Sequence, residues 1–213
     1  MDSTFWLSRW SQDQIGFHRA DVHPDIVANE ARWLGSDAGG VLVPLCGKSV
    51  DLAWLSKRIF TIGVELAPKA VQQFHEEQAI VAAQSPSGAF VEWKSSNLSV
   101  LQGSVFELDA EHVGPCNRVW DRAAMVALDP DRRARYVKRL RAVMPTGTQV
   151  LLKVMEYDTA VMDGPPHSID DAEVRAAYAG AHIELLSEDG TVPPVFKERG
   201  HTLWVERLFL ITL

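Results

Sequence analysis

One glycine carries a thiol, an ammonium and a hydroxyl beside it, in Leu45-Cys46-Gly47-Lys48-Ser49, and a carboxylate, Glu65, follows eighteen residues after that glycine. The apolar run before the turn (residues 41–45) reads as a buried strand, and residues 60–64 read as a second strand ending at Glu65. Strand, tight turn, helix start and an acid about 20 residues on outline a nucleotide-type cofactor site. The turn lets backbone N–H groups approach a ligand, and the acid is placed to accept hydrogen bonds from ribose hydroxyls.

Two better-known turns do not fit. A phosphate-binding G-x-x-x-x-G-K-[ST] loop needs a glycine five residues before Gly47, where Leu42 stands. A dinucleotide fingerprint wants three glycines, and only Gly47 is available. Taken alone, Gly47 and Glu65 are also readable as a plain turn and a strand-end charge.

Further candidates stand where a parallel sheet presents ligands, at the carboxyl ends of its strands. Ser104 and Val105 are placed to line an adenine slot, although residues 103–106 equally read as an ordinary loop. Asp121-Arg122 follows a strand directly, and a charged pair there is costly to bury without a partner. It reads either as a mutual ion pair or as an arginine set near cofactor and acceptor. Trp6 and Trp10 lie four apart and share one face of a helix, as a hydrophobic lid or as an aromatic wall over a cationic ligand. Arg132, Arg133, Arg135, Lys138, Arg139 and Arg141 are not confined to one face and read as a solvated outer helix.

Positioning these residues requires alternating elements. A helix is predicted over residues 24–34, with Pro24 in its first turn and Gly35 ending it. Strands are predicted over 41–45, 60–64, 90–93, 98–101, 118–121, 149–155, 183–186 and 204–212. Helices are predicted after the first turn, over 68–78 and 130–143, and from Asp170 to Tyr178 with Glu173 in the capping-box position. Repeated β–α units ending in a strand pair imply an α/β fold with a mostly parallel sheet and an antiparallel edge strand.

Composition narrows the function classes. The chain of 213 residues suits one α/β domain. Its net charge of −7 argues against general adhesion to nucleic acid or an anionic membrane. No apolar run is long enough for a membrane span, and the first ten residues lack a leader pattern. Cys46 and Cys116 stand 70 positions apart, and the seven histidines show no ligand spacing, so neither a disulfide framework nor a metal site is expected and a cytoplasmic setting is. No heptad or long apolar edge advertises a partner, so a monomer is expected.

Together the pieces resemble the thiopurine S-methyltransferase family, nearly end to end. The resemblance is carried by Trp6-x-x-x-Trp10 with Phe17-His18, by Val43-Pro44-Leu45-Cys46-Gly47-Lys48-Ser49-x-Asp51-Leu52-x-Trp54-Leu55, by Gly63-Val64-Glu65-Leu66, by Trp120-Asp121-Arg122-Ala123-Ala124, by Tyr157-Asp158, and by Gly164-Pro165-Pro166. It implies a Rossmann-like methyltransferase fold with a seven-stranded sheet and helices on both faces, in one domain over 1–213 whose residues 1–35 form a lid. It implies S-adenosylmethionine as cofactor, without a metal, held by Trp10, Leu45, Gly47, Glu65, Ser104, Val105 and Arg122. It places Arg122 and Arg199 at the chemistry and Trp6, Phe17, His18, Arg122 and Arg199 around a small thiol acceptor. Selenium or tellurium species are alternative acceptors for the same soft-nucleophile geometry. His167 after the Pro-Pro pair and a short stretch after Arg199 depart from the family pattern on the expected acceptor side. The rival readings are an NAD-using oxidoreductase and a noncatalytic protein on the same fold.

Overall fold

The structure is a computed structural model and describes residues 3–213; of the expected lid and domain, Met1 and Asp2 lie outside the described residues. In chain order the elements are α1 (Ser3–Ser11), α2 (Pro24–Ala28), α3 (Glu30–Leu34), β1 (Val41–Pro44), α4 (Val50–Ser56), β2 (Thr61–Glu65), α5 (Pro68–Glu77), β3 (Ala83–Ser87), β4 (Phe90–Lys94) and β5 (Leu98–Gln102). There follow a 3₁₀ turn (Val105–Glu107), α6 (Ala110–Val113), β6 (Arg118–Asp121), α7 (Ala124–Ala127), α8 (Pro130–Val143), β7 (Gln149–Tyr157), α9 (Asp171–Ala177), β8 (His182–Asp189), α10 (Pro194–Lys197) and β9 (Trp204–Thr212).

All strands join one sheet in the order β3-β4-β5-β2-β1-β6-β7-β9-β8. Strands β5, β2, β1, β6 and β7 are mutually parallel. From β1 the chain steps outward through β2 and β5, then returns to build β6 and β7 on the other side. The reversal leaves a crevice between the carboxyl ends of β1 and β6, where open α/β sheets bind ligands.

The central strands are buried on both faces. Leu42, Ile62, Val119, Leu152 and Phe209 point into one core with Tyr136, Val137 and Leu140 of α8. Val41, Val43, Val100, Trp120 and Leu151 point into the other with Trp33, Leu52 and Phe74. Helices therefore cover both faces, and period-2 alternation along each strand feeds two cores at once.

Four expectations need correction. The sheet has nine strands rather than seven, because β3 and β4 form an antiparallel hairpin outside β5. Strand β3 was invisible as a strand: Ala-Gln-Ser-Pro-Ser is exposed, polar and proline-bearing, and pairing alone makes it one. The strands that run against the rest are β4 and β9, each one place in from an edge rather than at it. The helix expected over 24–34 is two short helices divided at Asn29, whose side-chain amide donates to the Asp25 carbonyl at 2.8 Å. Finally, α8 is not wholly solvated. Arg133 is buried and donates from Nε to the Met125 carbonyl and from Nη2 to the Leu128 carbonyl, both at 3.2 Å, with Glu173 pairing Nη1.

Candidate active site

The turn after β1 has an uncommon backbone. Leu45 has φ +48° and Gly47 φ +55°, so a bulky residue and a glycine both occupy the left-handed region. Held that way, a leucine stores strain of order 1–3 kcal/mol, a feature that collects at ligand sites. The turn is fastened by Cys46 N–H donating to the Val64 carbonyl at 3.0 Å and Ser49 N–H donating to the Cys46 carbonyl at 3.1 Å. Ser49 then caps α4, its hydroxyl accepting from Asp51 N–H at 3.2 Å.

Glu65 closes the turn from the neighbouring strand. Its Oε2 accepts from Gly47 N–H at 2.8 Å and its Oε1 from Ala67 N–H at 2.7 Å. Burial pushes this carboxyl above its ordinary value, and the N–H groups of Ala67, Gly47 and Leu66 pull against that. Each oxygen keeps a free lone pair, which is what a pair of ribose hydroxyls requires.

On the other side of the crevice, Asp121 and Arg122 part company. The mutual ion pair is not formed. Asp121 turns inward, fully buried, and accepts from Ala124 N–H at 3.0 Å, Met125 N–H at 3.1 Å and the Tyr136 hydroxyl at 2.7 Å. Burial pushes its carboxyl up to about 6. Arg122 turns toward the crevice and donates from Nη2 to the Phe17 carbonyl at 3.0 Å. Burial draws its guanidinium down from its ordinary value, and nearby Asp51 opposes the shift.

The N-terminal segment roofs the crevice. Trp10 is buried, and a Cβ at Gly47 would stand 2.9 Å from Trp10 Cζ2, so the turn and the helix touch where only glycine fits. Phe17 meets both Trp6 and Trp10 edge-on at 5.7 Å between ring centroids. Beneath them lies a narrow cleft of about 50 Å³ lined by Trp10, Phe17, His18, Leu45, Gly47 and Arg122 among others. Burial lowers the His18 imidazole from its ordinary value, with Lys48 adding to the shift, so His18 lines the cleft as a neutral ring at pH 7.

Not every expected residue lines this cleft. Glu65 is buried behind the turn and does not itself line the cleft; beside it, past the end of β5, Ser104 accepts from Phe106 N–H at 3.3 Å and Val105 is buried, neither of them in the cleft. Trp6 contacts the roof only from behind. Arg199 is exposed, its guanidinium 5.8 Å from the Phe196 ring, which stacks on Trp204 at 4.0 Å. It belongs to an aromatic group with Tyr157 and His201 past the ends of β7 and α10. Conversely, Arg19, Lys48, Asp51 and Trp120 line the cleft without having been given a role there, although all but Arg19 stand in the motifs quoted above. Asp51 had a signal: an acid inside the most specific motif, two residues after the capping serine. Among the described residues, no group of three or more His, Cys, Asp or Glu is arranged to hold a metal ion. Nor is any helix there long and apolar enough to cross a membrane.

The model of the family described as Thiopurine S-methyltransferase (TPMT) matches residues 1–212. The chain belongs to the thiopurine S-methyltransferase family. It is 41% identical to a thiopurine S-methyltransferase of Pseudomonas entomophila strain L48 over 221 residues, covering all of both chains. It is 41% identical to another of Pseudomonas aeruginosa strain UCBPP-PA14, covering 99% of each. Among solved structures it resembles Burkholderia thailandensis 1,6-didemethyltoxoflavin-N1-methyltransferase with bound 1,6-didemethyltoxoflavin and S-adenosylhomocysteine, with TM-score 0.63 and 16% identity over 98% of this chain and 86% of that one. That likeness speaks for the fold. Membership of the family makes the protein an S-adenosylmethionine-dependent methyltransferase, as the motifs implied. The oxidoreductase reading falls with it.

Proposed function

We propose that the chain transfers the methyl group of S-adenosylmethionine to the sulfur of aromatic or heterocyclic thiols. The observation that carries this reading is the crevice itself: a strained turn cross-bonded to Glu65 on one wall, Arg122 facing it, and Trp10 and Phe17 above. The cofactor supplies an electrophilic methyl on a sulfonium. Glu65 and the Leu45–Gly47 backbone bind its nucleoside, with Ser104 and Val105 beside the adenine. Trp10 and Phe17 exclude water, with Trp6 supporting them. His18 and Phe17 form the acceptor wall.

An aromatic thiol ionises near neutral pH, so no strong general base is demanded. Arg122 stays charged and cannot take a proton; it stabilises the thiolate or orients the donor. Bringing sulfur and methyl to about 3–3.5 Å supplies much of the rate. Arg199 reaches this site only if the segment after α10 folds inward over the acceptor. Within residues 1–35, α1 and the loop through Arg19 act as the lid, while Ile26 and Trp33 are anchored in the core.

The test is production of S-adenosylhomocysteine from S-adenosylmethionine with thiophenol-class and mercaptopurine-class acceptors, with selenite and tellurite in parallel. Turnover of the thiols in preference to selenite and tellurite supports the reading. Turnover of selenite or tellurite alone would assign the site to those acceptors instead.

A further inference from the structure

Asp51 is the one carboxylate among the residues that line the cleft. It is 3% exposed and sits in the first turn of α4. Its Oδ1 accepts from the His23 backbone N–H at 2.9 Å and its Oδ2 from the Trp120 indole N–H at 2.9 Å. Both donors are neutral, and among the described residues Asp51 forms no ion pair. The His23 ring adds no charge, because burial draws it down to about 4 and its Nδ1 accepts from Asp25 N–H at 3.3 Å. Nearby Lys153 is spent on Asp25 at 2.8 Å and Glu206 at 3.2 Å.

A buried carboxylate without a cation is costly, and a ligand cation relieves the cost. Across the cleft stands Arg122, a half-buried guanidinium that donates to the Phe17 carbonyl. The cleft thus holds one carboxylate, Asp51, within electrostatic reach of the half-buried Arg122, with the exposed Arg19 at its mouth. That is the complement of an α-amino acid head. Resting on the S-adenosylmethionine reading, we infer that Asp51 binds the α-ammonium of the cofactor's methionine end while Arg122 takes its carboxylate. Trp120 and His23 are positioning residues, since their N–H groups aim the two oxygens. The neighbouring lysine is no rival for the role, because Lys48 is tied to Glu77 at 2.6 Å.

The experiment is calorimetric titration with two ligands, S-adenosylhomocysteine and methylthioadenosine, which shares the nucleoside but lacks the amino acid head. The proteins are wild type, Asp51→Asn and Trp120→Phe, each checked for an intact melt. Loss of one charge-assisted contact should weaken S-adenosylhomocysteine by about tenfold to a hundredfold in Asp51→Asn. Methylthioadenosine affinity should stay within about twofold, and Trp120→Phe should fall between. If both ligands weaken equally, Asp51 only shapes the turn and the inference is wrong. If Asp51→Asn binds both normally but loses turnover only with thiols of high pKa, Asp51 is a proton acceptor and the inference is again wrong. Failure of wild type to bind S-adenosylhomocysteine would instead strike the cofactor reading beneath it.

Discussion

Gly47→Ala tests whether the roof and the turn are one device. The added methyl meets two obstacles of different origin. The φ of +55° costs an L-residue roughly 1–2 kcal/mol wherever it occurs. The Cβ would also stand 2.9 Å from Trp10 Cζ2 and 3.4 Å from Cη2, so the indole must move by several tenths of an ångström. Trp10 is 3% exposed and packs on Ala67 and Ala70, with Ile15 against it, so the indole can give way only toward the narrow cleft it lines. Overpacking of this kind costs roughly 1–3 kcal/mol, and swinging the indole out to solvent costs about as much in lost burial. Together the single variant should lose about 2–5 kcal/mol, or roughly 4–20 °C of Tm in a chain of this length. In a Trp10→Phe background the two clashing atoms are gone, and the same glycine change should cost only the backbone part of about 1–2 kcal/mol. Urea unfolding followed by far-ultraviolet circular dichroism on the four proteins of this cycle measures the difference. An equal cost in both backgrounds would refute the contact, and no cost in either would refute the backbone argument as well.

Glu65→Gln replaces one of two accepting oxygens by a donor, so the N–H of Gly47 or of Ala67 is left unpaired; the expected loss is about 1–3 kcal/mol in urea unfolding, with weaker S-adenosylhomocysteine binding. Unchanged stability and affinity would remove Glu65 from the site. Asp121 holds its proton more tightly folded than unfolded (about 6 against 3.8), so its stabilising contribution is full below 3.8 and is lost as pH rises through about 6. Asp121→Asn mimics the protonated form, accepting from Ala124 and Met125 and donating to Tyr136. The variant should therefore gain on wild type between pH 5 and pH 7.5, by about 1.4 kcal/mol; a difference independent of pH would show that the carboxyl titrates normally. Arg133→Met removes the donors to two buried carbonyls and should destabilise by about 3 kcal/mol without changing S-adenosylhomocysteine affinity; a stable variant would mean water replaces the guanidinium.

Much of the frame was legible because its causes are local. Pro24, Pro68 and Pro130 open helices where their fixed φ and missing N–H cost nothing, and Asp129, Asp170 and Ser49 cap helices with their own oxygens. Apolar runs marked β1 and the middles of β2 and β7, since strands buried on both faces have little polar side to show. The turn at Gly47 and its paired acid Glu65 were legible too, because residue type and spacing alone set that chemistry. Tertiary structure decided whatever depends on what lies opposite. Nothing in Ala-Gln-Ser-Pro-Ser marks a strand until β4 pairs with it, nor does the basic run of α8 show that Arg133 alone reaches two buried carbonyls. Asp121 and Arg122 are adjacent in sequence, yet strand alternation sends one into the core and the other to the cleft. Asp51 acquired its place only when Trp120 and His23, distant in the chain, came to hold its two oxygens. Local propensity and capping act within a few residues, whereas burial, charge and hydrogen-bond satisfaction are set by neighbours that only the folded sheet supplies.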